Sequence, residues 1–308
     1  MGSVQGVYEA TTAAIVQAIE EGAGVWHMPW QSAGVAFPTN PTTQKRYGGG
    51  NVVGLWAAAM NHGYSFGQWA TFKQWAGVGA QVRRGEKGTG ALFFTKREDV
   101  EATNSVEDDK HRRFIARSFT LFNVAQVEGY APTVDAVGSP EQIAYAEAFF
   151  GSIGAKVEHR HGVMPCYRPG SDDILLPPQG GFDTIGDYYG TAAHEHAHWT
   201  GHPSRLARDF SGRFGGEAYA VEELTAELSA AFTCALLGIS PTPRPDHAAY
   251  LAAWLKVLKS DVRALHAIAG KAQGATDYLA RAAGYGEATE CSVEAPAMKG
   301  HRAVANAR

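Results

Sequence analysis

Apolar positions recur at helical spacing near the start of the chain. Ile15, Val16 and Ile19 follow Tyr8, and the run stops at Gly22 and Gly24, which predicts a helix over 8–20. A loop rich in Pro, Gly and Thr comes next. A second helix is expected from Asn51 (NVVGLWAAAMNHG) and a short third over 69–76. The period then shortens: GAQV, a turn at RRGEKG, ALFFTK and FIARSFTLFNVAQV read as strands, with residues 98–109 a solvated excursion between two of them. Residues 131–140 (APTVDAVGSP) hold two prolines and a glycine without any period, the mark of a linker. Behind it the pattern predicts a helix over 140–150 and three short strands, AKVEHR, VMPCYR and DDILLPP. From Asp187 almost to Gly284 it is helical, in at least four segments broken at Gly201, Gly238/Pro241 and Gly270/Gly274. The tail beyond Glu287 is small and polar and is expected to fray.

This order suggests an α+β protein of two domains: a mixed α/β unit over 1–130, the linker at 131–140, a second unit over 141–286 with a small sheet and a helical remainder, and a tail over 287–308. At 308 residues the chain is about twice the usual domain length. Charge separates the two units as well. The first 97 residues carry eight Lys and Arg against four Asp and Glu, residues 98–109 carry six acids and no base, and residues 131–308 carry 15 bases against 20 acids. A basic front and an acidic back suit different partners. No run approaches the roughly 20 apolar residues that span a bilayer, and no basic segment precedes an apolar one at the N-terminus. Membrane partners and secretion are therefore not expected. Three scattered cysteines without a C-x-x-C pair fit a reducing cytoplasm.

The sharpest chemical signal is TAAHEHAHWTGH, which contains His194-Glu195-x-x-His198. On a helix, positions i and i+4 share a face, so two imidazoles can bind one Zn²⁺ with Glu195 beside the water that the ion activates. Ala192, Ala193 and Ala197 favour the helix, and Gly201 is a plausible C-cap. A catalytic zinc needs a third protein ligand. The position where a third histidine would follow is Ser204, so that pattern fails. YAVEELTAELSAAF instead offers Glu223 as ligand, with Glu227 one turn on to hold a ligand histidine. Glu222 points about 100° away and is the weaker ligand choice. His196 should face away from the metal. His202 either caps the helix end or helps substrate, and Tyr219 could stabilise a tetrahedral intermediate. Glu195 would be the general base, passing the water's proton to a leaving amine. Zn²⁺ is the expected cofactor, with Mn²⁺ possible, and the substrate an unidentified protein or peptide. DDILLPP could serve as the edge strand on which that peptide pairs.

Five of the seven tryptophans, Trp26, Trp30, Trp56, Trp69 and Trp75, lie in the first 75 residues, interleaved with Phe37, Tyr47, Tyr64, Phe66 and Phe72. Most of the tryptophans read as core. The loops PTTQKRYGGGN and VRRGEKG are more telling, because Lys45, Arg46, Tyr47, Lys73, Arg83, Arg84 and Lys87 combine bases with an aromatic in and around them. Aromatic faces stack on unpaired bases while Lys and Arg track phosphates, which suits single-stranded DNA. No G-x-x-x-x-G-K-[ST] occurs, so nucleotide hydrolysis has no support.

The whole order resembles the ArdC-type antirestriction proteins of conjugative plasmids, whose front domain is shared with TraC-type primases. The resemblance rests on W-x-x-P-W, FPTNPTTQKRYGGGN, WATFKQW, GAQVRRGEKG and FNVAQVEG in front. Behind, it rests on Tyr188-Tyr189, HEHAHWTGHPSRLAR, FGGEAYAVEELTAEL and LLGI, and in all it covers residues 7–285. It implies an N-terminal ssDNA-binding domain fused to a zincin-like metallopeptidase domain that protects incoming plasmid DNA from restriction. Two positions depart from the pattern: His196 replaces an aliphatic residue, and Gly48–Gly50 replace R-G-[IV]. Two other classes stay open: an ssDNA-binding protein with a structural or vestigial metal site, and a metallopeptidase whose front domain binds protein.

Overall fold

A computed structural model describes residues 2–21, 37–96, 114–132, 139–210, 216–240 and 248–285. Trp26, Trp30, the acidic stretch 98–109, most of the 131–140 segment and the tail lie outside the described residues.

Helix α1 (Val4–Glu21) buries Ile15 and Ile19, and α2 (Gly50–His62) buries Val52, Val53, Leu55 and Trp56. Trp69 and Ala70 form strand β3 rather than the start of a helix. Thr71 is the reason: its hydroxyl accepts from Gln74 N while Gln74 Oε1 accepts from Thr71 N, so α3 (Phe72–Gly77) begins only beyond this reciprocal cap. A long antiparallel pair, β5 (Thr89–Lys96) and β6 (Phe114–Asn123), runs in register from Thr89↔Leu121 to Lys96↔Phe114, and β3 joins the other side of β6. Two short pairs complete the front: β1 (Thr39–Asn40) with β2 (Lys45–Arg46), and β4 (Gln81–Val82) with β7 (Val127–Glu128).

The second sheet corrects one expectation. β10 (Asp173–Leu176) lies between β8 (Lys156–His159), to which it is parallel, and β9 (Cys166–Arg168), to which it is antiparallel. All four β10 residues are buried. Its hydrogen-bonding edges are filled on both sides, so DDILLPP cannot take a peptide; among the described residues the outer edge of β9 is unpaired. Helices α4 (Pro140–Ser152), α5 (Ile185–Thr200), α6 (Glu217–Leu237), α7 (Ala248–Ser260) and α8 (Ala264–Ala282) follow in chain order. Gly270 and Gly274 do not break α8. Each costs up to about 1 kcal/mol against Ala, but Leu265, Ile268, Ala269, Ala272, Ala275 and Leu279 bury one continuous face that outweighs it. The break falls instead between Ser260 and Ala264.

The main core joins the two ends of the chain. Ile15, Ile19, Val52, Trp56 and Leu121 pack in one cluster with Leu224, Phe232, Trp254, Leu258 and Ile268. Thr12 Oγ1 donates to Val262 O at 2.8 Å, and Gly49 N donates to Gln273 Oε1 at 3.2 Å, across the same seam. Here Gly50 is obligatory, since a Cβ on it would fall 2.1 Å from Cδ2 of His266. The His266 ring is held edge-on to Tyr8, and among the described residues neither of its buried nitrogens has a hydrogen-bond partner. A second cluster, including Phe149, Ile174, Leu176, Tyr189, Trp199 and Leu237, lies under α5 and so fixes the helix that carries the chemistry.

Candidate metal centre

α5 begins at Thr184, whose hydroxyl accepts from Asp187 N at 3.1 Å while Asp187 accepts in return from Thr184 N. The Asp187 carboxylate in the first turn also complements the helix dipole. The helix is buried almost all round, so His194, Glu195 and His196 are each less than one-tenth exposed. Gly201 ends it in a right-handed conformation, with φ −77°. Glycine is required there by packing, because a Cβ would meet Phe210 at 2.4 Å and Arg208 Nη2 at 3.0 Å.

His194, His198 and Glu223 converge, each offering one ligand atom within 4.8 Å of the others. The two imidazole Nε2 atoms are 3.1 Å apart. Glu223 places Oε2 3.7 Å from His194 Nε2 and Oε1 3.5 Å from His198 Nε2. Each ring is held from behind: His194 Nδ1 lies 2.9 Å from Glu227 Oε1, and His198 Nδ1 lies 3.1 Å from Glu222 Oε1. At His198 the Glu222 carboxylate is hydrogen-bonded to Nδ1, which assigns the ring proton to that nitrogen and turns the Nε2 lone pair inward. At His194 the Glu227 carboxylate is close to Nδ1 but not aligned for a hydrogen bond. Both Nε2 atoms and a carboxylate then crowd one small, largely buried volume, an arrangement that a divalent cation relieves. Two imidazole nitrogens and a carboxylate are also the donor set of a borderline ion such as zinc.

Glu222, set aside as a ligand, therefore has a different task. Burial pushes its carboxyl up, but hydrogen bonds and charge from His198 and Arg208 outweigh that and hold it below the usual carboxylate range. The sequence signal was the spacing itself. Glu222, Glu223 and Glu227 meet His198, the site centre and His194 in turn. Arg208 carried no sequence signal beyond the motif HPSRLAR. Its guanidinium grips both oxygens of Glu222 at 2.9 Å.

His196 packs against Phe150, away from the site, with Nδ1 2.7 Å from Ala192 O; burial pushes its pKa down to about 4. His202 is a turn residue, its Nδ1 accepting from Ser204 N at 3.2 Å. Tyr219 is half-buried in the first turn of α6, one turn before Glu223. Strand β9 lies within electrostatic reach of Glu195: burial first, then the charge of Glu195, raises the pKa of the Cys166 thiol.

The front residues divide differently. Tyr47 is 1% exposed, with its hydroxyl donating to Trp69 O at 2.9 Å, so its ring is closed to a base and the stacking role expected of it is corrected. Trp56, Trp69 and Trp75 are likewise core. Lys45, Lys73, Arg84 and Lys87 are all exposed. Arg46 stacks its guanidinium over the Phe37 ring at 5.7 Å. Arg83 shares its guanidinium between Glu86, at 2.7 Å, and Ala125 O. Phe72 is 51% exposed beside Lys73, its ring edge-on to that of Phe122. Among the described residues no helix is long and apolar enough to cross a membrane.

Residues 5–122 match the family described as the N-terminal domain of anti-restriction factor ArdC, and residues 144–271 match the zincin-like metallopeptidase family. The chain is 43% identical over 281 residues to the uncharacterized protein y4eC of Sinorhizobium fredii, covering 89% of this chain and 91% of that one. A DNA primase TraC of Escherichia coli is 35% identical over 291 residues; the chain spans only 27% of its length. Two solved structures of the antirestriction ArdC protein from plasmid R388 superpose along nearly the whole chain. The metal-free one has a TM-score of 0.72 at 36% identity, covering 91% of this chain and 98% of that one. The Mn(II)-bound one has a TM-score of 0.71 at 35% identity, covering 90% and 97%.

Proposed function

Since the chain belongs to the ArdC family of antirestriction proteins, we propose that it binds single-stranded DNA through residues 1–130 and carries a divalent-metal peptidase site in residues 141–286. The observation that carries the metal reading is the convergence of His194, His198 and Glu223 with both Nδ1 atoms backed by carboxylates. A zinc or manganese ion held there would supply Lewis-acid polarisation of a carbonyl and an acidified water. The protein's own part is then definable. Glu195, on the same helix, accepts the water's proton and returns it to the leaving amine. Tyr219, one turn before Glu223, stabilises developing negative charge. An extended peptide pairs along the outer edge of β9, where Cys166 lies within the electrostatic reach of Glu195.

The DNA reading is supported by the exposed bases Lys45, Lys73 and Arg84, by Arg46, Arg83 and Lys87 near them, and by the likeness to a DNA primase. Together the two activities would shield an incoming single strand in the cytoplasm of a recipient cell.

The unchanged chain should hold about one Zn²⁺ or Mn²⁺, lost in His194→Ala or His198→Ala and retained in Glu195→Ala. No stoichiometric metal, or proteolysis by the Glu195 variant, would end this reading. Because the two ends share a core, DNA binding is measured on the whole chain. The Lys45, Arg46, Arg83 and Arg84 quadruple alanine variant should weaken ssDNA binding and flatten its salt dependence. Plasmid protection that survives Glu195→Ala but not the quadruple change would assign protection to the DNA-binding half.

A further inference from the structure

Arg208 lies ten residues beyond His198, in the segment that leaves α5 and turns back over it. Its side chain is 8% exposed, and its donors are spent on two helices at once. Nε donates to Glu222 Oε2 and Nη2 to Glu222 Oε1, both at 2.9 Å, in a fork-to-fork grip on α6. Nη2 also reaches Ala197 O at 2.6 Å, and Nη1 reaches Thr200 Oγ1 at 2.8 Å, in the last turn of α5. Glu222 Oε1, held this way, is the atom 3.1 Å from His198 Nδ1. We infer that Arg208 is a positioning residue for the metal centre: acting through Glu222, it fixes the His198 ring so that Nε2 faces the ion.

The physics runs in one direction along this chain of contacts. A carboxylate as buried as Glu222 is expensive without a cation. Deprived of Arg208 it swings toward solvent, and His198 then loses the hydrogen-bond partner that sets its rotation. The same guanidinium ties the end of α5 to α6, the two helices whose relative placement sets the distance from the histidines to Glu223. Gly201 leaves the space in which the guanidinium lies, since a Cβ there would stand 3.0 Å from Arg208 Nη2. Arg205, three residues earlier, offers a matched contrast. It is equally buried, but it pairs with Asp172 and lies over the Trp199 ring, on neither of the carboxylates that back the ligand histidines.

This inference rests on the metal reading above, and the test separates the two. Mn²⁺ or Zn²⁺ alone is titrated into the full chain against a chromophoric chelator. Arg208→Met is expected to lose about 10–100-fold in metal affinity, as ligand-supporting partners do. Glu222→Gln should lose a similar factor, and the double variant should be no worse than Glu222→Gln by more than about threefold, because both changes cut one linkage. Arg208→Lys, which keeps charge but not the fork, should fall between wild type and Arg208→Met. Arg205→Met should stay within about threefold of wild type. Three results would overturn the inference: unchanged affinity in Arg208→Met, losses that multiply in the double variant, or an equal loss in Arg205→Met. Should Arg208→Met not fold, Arg208→Lys with and without Glu222→Gln gives the same cycle. No metal uptake by the unchanged chain would instead overturn the metal reading itself.

Discussion

Alanine at position 50 adds one methyl group where the structure has no room for it. The ideal Cβ would stand 2.1 Å from Cδ2, 2.5 Å from Cγ and 2.8 Å from Nε2 of His266. That ring has little freedom to retreat, because it is largely buried and in edge contact with Tyr8, ring centroids 4.7 Å apart. Forcing a methyl into such a contact typically costs about 1–3 kcal/mol, while replacing Gly by Ala in a helix returns up to about 1 kcal/mol. The net expectation for Gly50→Ala is a loss of about 1–2 kcal/mol, or a Tm lower by about 1.5–3 °C in a chain of this size. Calorimetric melting of the full chain reads it directly. The same change made in a His266→Ala background should be neutral or stabilising by up to about 1 kcal/mol, because the obstacle is gone and only the helix-propensity gain remains. If Gly50→Ala costs as much without the imidazole as with it, the steric argument for the glycine fails.

His266 also sets a pH limb. Burial, without a hydrogen-bond partner among the described residues, pushes its pKa down to about 4. The unfolded chain takes the proton near 6.5, so stability is whole above about 6.5 and falls as pH drops toward 4, by about 3 kcal/mol from this residue. Urea melts at pH 7 and pH 4.5 should show a smaller pH difference in His266→Ala; an identical slope would refute the assignment. Tyr47→Phe should cost about 1–2 kcal/mol of stability through the lost bond to Trp69 O and leave ssDNA affinity unchanged. Weakened binding at unchanged Tm would restore Tyr47 to the interface.

The convergence of His194, His198 and Glu223 was legible because it is built from local spacing. His194, Glu195 and His198 share one helix turn, and Glu223 and Glu227 share another, so helical periodicity alone placed the carriers of the site on the correct faces. Arg208 was not legible, since only the return of the chain over Gly201 brings it to Glu222. Trp69 was misread for a similar reason: WATFKQW looks helical from its first residue until Thr71 is seen to cap a helix that starts at Phe72. The strand order escaped as well. DDILLPP, VMPCYR and AKVEHR are each recognisable as strands, but nothing in the pattern of one says that another fills its edge. In α8 the two glycines carried the local preference to break, and the buried face from Leu265 to Leu279 overrode it.

The seam between α2 and α8 also bears on how the chain is made. Synthesis runs from the N-terminus, so α1 and α2 leave the ribosome with Ile15, Ile19, Val52 and Trp56 still lacking the surfaces that cover them. Those surfaces come from α6, α7 and α8, the last of which ends at Ala282. At about 5–20 residues per second, the wait from the end of α2 to the end of α8 is about 10–40 s. Throughout that interval the front half exposes an apolar face to chaperones and proteases. A message truncated before α8 accordingly yields a product destined for degradation rather than a free-standing front half, and the two halves of the chain reach the cell together.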